Sequence, residues 1–168
     1  MNQHDLSDLR AEFDKFVKDK CSLEPDEKQM QNPDVGDKED EEPVPQFVDA
    51  LTSRLLAPAY SGVYLSRLDI KRIAEAIDES IPIKERVKMV RALFRHTTKK
   101  EYLRKAFSEI DKHINGRIVI YQELSEAFPA SKAIFDEHTK KAKKTMKMFS
   151  TIIEDFEEIE PTSDPMFV

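Results

Sequence analysis

Residues 98–128 and 131–159 each place apolar side chains at alternating four- and three-residue steps, and the two stretches meet at Phe128-Pro129-Ala130-Ser131. In the first, the series is Leu103, Phe107, Ile110, Ile114, Arg117, Tyr121, Leu124 and Phe128; in the second it is Phe135, Thr139, Ala142, Met146, Phe149, Ile153 and Phe156. Spacing of this kind is the seam of packed helices, and a break of a few residues between two such seams folds them back on each other. The pattern therefore predicts an antiparallel helical hairpin over about 98–128 and 131–159, with arms on the order of 42–45 Å at ~1.5 Å per residue. A turn near Pro129 makes facing residue numbers sum to about 259. That register sets Lys99, Lys100, Arg104 and Lys105 beside Glu154, Asp155, Glu157, Glu158 and Glu160. Acids at the end of a helix oppose its dipole, and the facing bases would offset this.

Three glycines in 168 residues, with 36% charged residues, favour helix over a strand-rich fold with its many tight turns. The expected fold is all-α: the long hairpin packed with three shorter helices at 46–57, 66–79 and 82–96, plus a tethered N-terminal helix. The first helix is marked by Phe47, Val48, Leu51, Leu55 and Leu56, and Ser61-Gly62 reads as a turn. Ser66 with Asp69 forms a capping box for the second, whose inner face is Ile70, Ile73, Ala74 and Ile77. Pro82 suits the first position of the third, with Ile83, Val87, Val90, Leu93 and Phe94 inward. Thr98 with Glu101 would cap the long helix.

The net charge of −6 is concentrated in one segment. Residues 24–45 hold nine acids and two lysines, with four prolines, so the rest of the chain is nearly neutral. Residues 22–45 accordingly read as an acidic, disordered linker between an N-terminal segment (1–21) and a helical bundle domain (46–160), and 161–168 as a flexible tail. Within the N-terminal segment, Leu6, Leu9, Phe13, Phe16 and Val17 recur at helical spacing and make an amphipathic helix over 6–20. The single cysteine, Cys21, has no partner for an internal disulfide, no stretch approaches the ~18 apolar residues of a membrane span, and no basic-then-apolar leader opens the chain. These features lead to the expectation of a cytoplasmic protein with no membrane partner.

Residues 111–123 resemble the calcium loop of an EF-hand. Asp111, His113 and Asn115 occupy positions one, three and five, Gly116 falls at the turn, and Ile118 at the apolar position eight. The resemblance implies a calcium ligand set of Asp111, His113, Asn115 and Glu123. It departs from the pattern twice: His113 offers nitrogen to a cation that prefers oxygen, and Glu123 is one residue late, behind Gln122. Elsewhere His4, His96, His113 and His138 form no Glu-x-x-His or His-Glu-x-x-His step, and His138 beside the seam reads as a partly buried histidine with its hydrogen bond satisfied. Glycines at 36, 62 and 116 cannot build a phosphate loop, and there is no Gly-x-Ser-x-Gly elbow.

Two stretches are basic. Residues 84–105 carry nine bases against two acids, and residues 140–147 carry Lys140, Lys141, Lys143, Lys144 and Lys147 with no acid. Nucleic-acid binding would draw on such density, ideally with exposed aromatics between the charges. Here the aromatics fall on apolar faces, so a solvated basic surface is expected and a nucleic-acid partner is not. The functional expectation is a non-enzymatic helical interaction protein, without cofactor or metal, such as an adaptor, assembly factor or export chaperone. It would bind another protein through Leu6, Leu9, Phe13, Phe16 and Val17, or use the same helix to form a homodimer by exchange. The alternatives are a regulator with a degenerate calcium site at 111–123, and a nucleic-acid-binding protein using 84–105 and 140–147.

Overall fold

The computed structural model describes residues 10–15 and 40–160. The chain divides into two units, residues 1–38 and 39–168. In the first, residues 10–15 are helical; Leu6, Leu9, Phe16, Val17 and Cys21 lie outside the described residues. The described part of the second unit is all-α: α1 (Phe47–Leu55), α2 (Pro58–Ser61), α3 (Arg67–Ala76), α4 (Arg86–Phe94), α5 (Lys100–Ala127), a single 3-10 turn (Pro129–Ser131) and α6 (Lys132–Asp155). No helix among the described residues is long and apolar enough to cross a membrane.

The two long helices run side by side in opposite directions, joined by the turn at Pro129. The Phe107 and Phe149 rings stack at 4.5 Å between centroids, and Tyr121 lies on His138 at 5.5 Å. From Phe107 the aromatic packing continues to Phe94 (5.3 Å), Phe47 (5.9 Å) and Phe156 (5.8 Å), so five rings link α1, α4, α5, α6 and the segment after α6. Around them Leu51, Leu55, Leu65, Ile70, Met89, Leu103, Ile110 and Ile114 are buried, and removing these side chains from water is the main favourable term of the fold. Burial is concentrated where the short helices lie on the hairpin. Toward its tip Leu124 is half-buried and Phe128 is 58% exposed. Ala106, Ile118, Ser125 and Thr145, which the heptad series omits, are buried instead.

The helix boundaries follow from local chemistry. Ser66 and Asp69 form a reciprocal capping box at the start of α3: the Asp69 N–H donates to Ser66 Oγ (3.1 Å) and the Ser66 N–H to Asp69 Oδ2 (2.9 Å). The helix ends in a Schellman arrangement, with the Glu79 N–H on the Ala74 carbonyl (2.8 Å) and the Asp78 N–H on that of Glu75 (3.1 Å). Asp78 therefore takes a left-handed φ of 62°, a position usually filled by glycine.

Several expectations need correction. The region of the first short helix holds two helices, because Pro58 starts a new one-turn helix that Gly62 closes with φ of 77°. The third helix begins at Arg86, not Pro82. Ile81 is buried, while the Arg86 guanidinium donates to the Leu65 carbonyl (3.1 Å) and lies 4.6 Å over the Tyr64 ring. These anchors keep 79–85 out of the helix, and Ile83 and Val87 are each half exposed. Thr98 does not cap the long helix. Lys99 is its N-cap without a side-chain bond, because the segment after α6 supplies the partners: the Lys100 N–H donates to Glu158 Oε1 (3.1 Å), and the Ile159 N–H to the Thr98 carbonyl (3.0 Å). α6 stops at Asp155; Phe156 takes an extended backbone (φ −70°, ψ 125°), and the segment after it passes beside the start of α5. Lys105 pairs with Glu101 of its own helix (3.4 Å) rather than across the hairpin. Residues 40–45, read from sequence as linker, lie against the body: Asp40 accepts Lys84 Nζ at 3.0 Å with Lys88 Nζ at 3.6 Å, and Val44 packs on the core.

Candidate functional site

The α1–α2 layer is fastened to the hairpin at Ser61-Gly62. Tyr121 on α5 donates its hydroxyl to the Gly62 carbonyl (2.6 Å), and Thr145 on α6 donates to the Ser61 carbonyl (3.0 Å). Gly62 sits so close to α6 that a β-carbon there would fall 2.5 Å from the His138 carbonyl oxygen and 2.7 Å from the Ala142 nitrogen. This clasp occupies one side of the hairpin and leaves the other side open. His138 stacks on Tyr121, but its buried Nδ1 has no hydrogen-bond partner, so the satisfied histidine expected from sequence is not what the structure contains.

On the open side a groove of about 700 Å³ runs along α6, lined by Thr139 and the lysines Lys140, Lys143, Lys144 and Lys147, with Asp136 at one end and Gln122 of α5 at its edge. The four lysines stand at i, i+3, i+4 and i+7, which is one continuous stripe of helix surface, and all four are exposed. Among the described residues none of the four has an acid within ion-pair distance. Lys141, on the neighbouring side, pairs with Glu137 (3.4 Å), and Asp136 is taken by Lys132 (2.9 Å). The other basic stretch is used internally. Lys84 and Lys88 meet Asp40, Arg91 pairs with Asp49, Arg86 holds Leu65, Lys100 reaches the Glu154 carbonyl (3.2 Å), and Arg95 is buried. Most of the first stretch is thus engaged within the body, with Lys99 and Arg104 left exposed, whereas the α6 stripe faces solvent along its whole length.

Residues 111–123 lie within the unbroken helix α5, so no loop encircles a cation there. Side chains two apart on a helix point about 200° from each other. His113 accordingly turns toward α3, with Nε2 3.3 Å from the Tyr64 carbonyl and Nδ1 4.0 Å from Asp69. Asp111 is half-buried elsewhere on α5, with Oδ1 enclosed and without a hydrogen-bond partner, and burial pushes its carboxyl above the usual range. Asn115 and Glu123 are exposed. The four do not converge, and among the described residues no group of three or more His, Cys, Asp or Glu is placed to hold a metal. Asp69 is shifted the other way. Burial raises its carboxyl, but the Ser66 hydroxyl and amide, with His113 and Arg117 nearby, outweigh that and hold it below the ordinary value.

No protein family, curated protein or solved structure matches this chain. Its function has to be read from its own surfaces. Of the residues expected to meet a partner, Phe13 is described: it stands on the helical segment 10–15 and is 65% exposed. A separate, apolar groove of about 590 Å³ lies at the far end of the hairpin among Phe47, Met148, Ile152, Phe156 and Ile159. The lysine groove depends on a feature that the heptad count passes over. Its signal in the sequence is the spacing of Lys140, Lys143, Lys144 and Lys147, a polar stripe with helical period on the side away from Ala142 and Phe149.

Proposed function

We propose that this chain is a non-enzymatic helical interaction protein of the cytoplasm, an adaptor, assembly factor or export chaperone, that binds another protein through amphipathic helices. In this reading the long hairpin is a stiff scaffold, and the N-terminal helix is the segment offered to the partner. The observation that carries it is Phe13, a large aromatic left 65% exposed on the helical segment 10–15; Leu9, Phe16 and Val17 stand at helical spacing from it in the sequence. Large apolar side chains of this kind gain roughly 1.5–3 kcal/mol when fully buried, enough for a few of them to anchor a complex.

The test is affinity purification of the full chain from its native cells, followed by reconstitution of the captured protein with purified components. One stoichiometric protein partner is expected. Its affinity should fall by about tenfold or more in Phe13→Asp, with the circular dichroism of the body unchanged. Capture that survives both Phe13→Asp and deletion of residues 1–20 would remove the N-terminal helix from the reading. A dimer in sedimentation that Phe13→Asp dissociates would reassign the helix to self-association.

A further inference from the structure

The open side of the hairpin carries an inference separate from the N-terminal helix. We infer that the groove along α6 binds an acidic helix of a partner protein, with Lys140, Lys143, Lys144 and Lys147 pairing with carboxylates at matching helical spacing.

The lysines are the first support. Among the described residues they have no ion-pair partners, although Lys132 and Lys141 on the same helix do. Four like charges within two turns repel one another, since like-charged i, i+4 neighbours destabilise a helix. An opposing set of carboxylates relieves that repulsion, and it makes contacts that the isolated chain lacks.

Geometry selects a helix. The stripe spans about 10 Å along α6, roughly two helical turns. A helix laid along the groove repeats its own side chains at the same i, i+3, i+4, i+7 steps, so four acids on one of its faces meet four lysines without distortion. The opposite wall supplies uncharged contacts. Gln122 can donate and accept there; Val119, one turn earlier on α5 and outside the groove lining, is 52% exposed.

The same features disfavour a nucleic acid. No aromatic ring lines the groove, whereas single strands are held by stacking bases on aromatic side chains. About ten ångströms of lysine covers only a few phosphates, too short a track to hold a nucleic-acid backbone.

The experiment uses the full chain and three probes in fluorescence anisotropy. One is a stapled helical peptide with glutamates at i, i+3, i+4 and i+7 beside a leucine. The second is the same composition with the glutamates spread around the helix, and the third is a single-stranded RNA of comparable charge. The first probe should bind most tightly and weaken as salt is raised. Reversing the lysines (K140E, K143E, K144E and K147E together) should cost about tenfold or more. A charge-swapped peptide with lysines at the four positions should regain affinity for that reversed chain, a rescue that a misfolded variant could not give. The inference is overturned if the two peptides bind alike, if the RNA binds more tightly than the striped peptide, if no probe binds, or if the swap fails to rescue while the reversed chain keeps its helical signal. The inference shares with the proposed function only the class of partner. Phe13→Asp should leave binding of the striped peptide unchanged, so loss of one surface is distinguishable from loss of the other.

Discussion

Replacing Gly62 by alanine should be among the most damaging single changes in the body. Three costs meet at this residue. Its φ of 77° is left-handed, which costs an L-amino acid roughly 1–2 kcal/mol. The added β-carbon would lie 2.5 Å from the His138 oxygen and 2.7 Å from the Ala142 nitrogen. Both are backbone atoms of a long helix and cannot rotate away, so α6 must shift, and overpacking of that kind costs about 1–3 kcal/mol. A shift also stretches the bonds that Tyr121 and Thr145 donate to Gly62 and Ser61, each contributing about 0.5–1.5 kcal/mol. The total is on the order of 3–5 kcal/mol, a large share of a typical stability of roughly 5–15 kcal/mol. Urea unfolding of the full chain, followed by far-ultraviolet circular dichroism, reads this as a drop of about 1 M or more in the midpoint. Tyr121→Phe and Thr145→Val should each take a smaller part of the same loss. A Gly62→Ala penalty below about 1 kcal/mol would refute the close docking of this turn on α6.

Other substitutions test other parts of the fold. Phe149→Ala removes the ring stacked on Phe107 and should cost about 3–5 kcal/mol in the same urea assay. Asp78→Gly relieves the left-handed position after α3 and should raise stability by roughly 0.5–1 kcal/mol, seen as a few degrees in melting temperature. Asp111 makes a pH prediction. Its carboxyl is pushed up by burial, so the folded chain holds the proton more tightly than the unfolded chain does. Its contribution is therefore favourable in acid and turns against folding as pH rises from the ordinary aspartate range through the raised folded value. Asp111→Asn should stabilise the protein at neutral pH relative to the parent, and the gain should shrink as the pH falls through the raised folded value and be gone below about 4, where both states hold the proton. A difference that stays constant with pH would mean that Asp111 ionises normally.

Features that local periodicity encodes were legible in the sequence, and features set by distant contacts were not. Ser66 and Asp69 cap α3 as their spacing requires, because both groups of that box lie within four residues. Pro82 is an equally good local signal, yet burial of Ile81 and the reach of Arg86 to Leu65 decide where α4 starts. The Thr98–Glu101 box failed for the same kind of reason, since a carboxylate 58 residues from Lys100, that of Glu158, takes the Lys100 N–H. Gly62 read as a turn, but nothing near it in sequence shows that α6 presses on it. At the candidate surfaces, the alternation of apolar residues marked the seam and drew attention from the polar stripe behind it. The lysines were visible as density, while their separation from the bases of 84–105 required knowing that Asp40 and Asp49 occupy several of the latter.

Gly116→Ala bears most directly on the continuous α5 that supports the hairpin and both of its faces. A β-carbon at Gly116 meets nothing within 4 Å, and the residue lies inside α5, so alanine should stabilise the chain by roughly 0.5–1 kcal/mol. Millimolar calcium should leave the melting temperature of parent and variant unchanged. If alanine instead destabilises the protein, or calcium raises the melting temperature of the parent and not of the variant, the chain turns at Asn115-Gly116 around an ion and the continuous scaffold is contradicted.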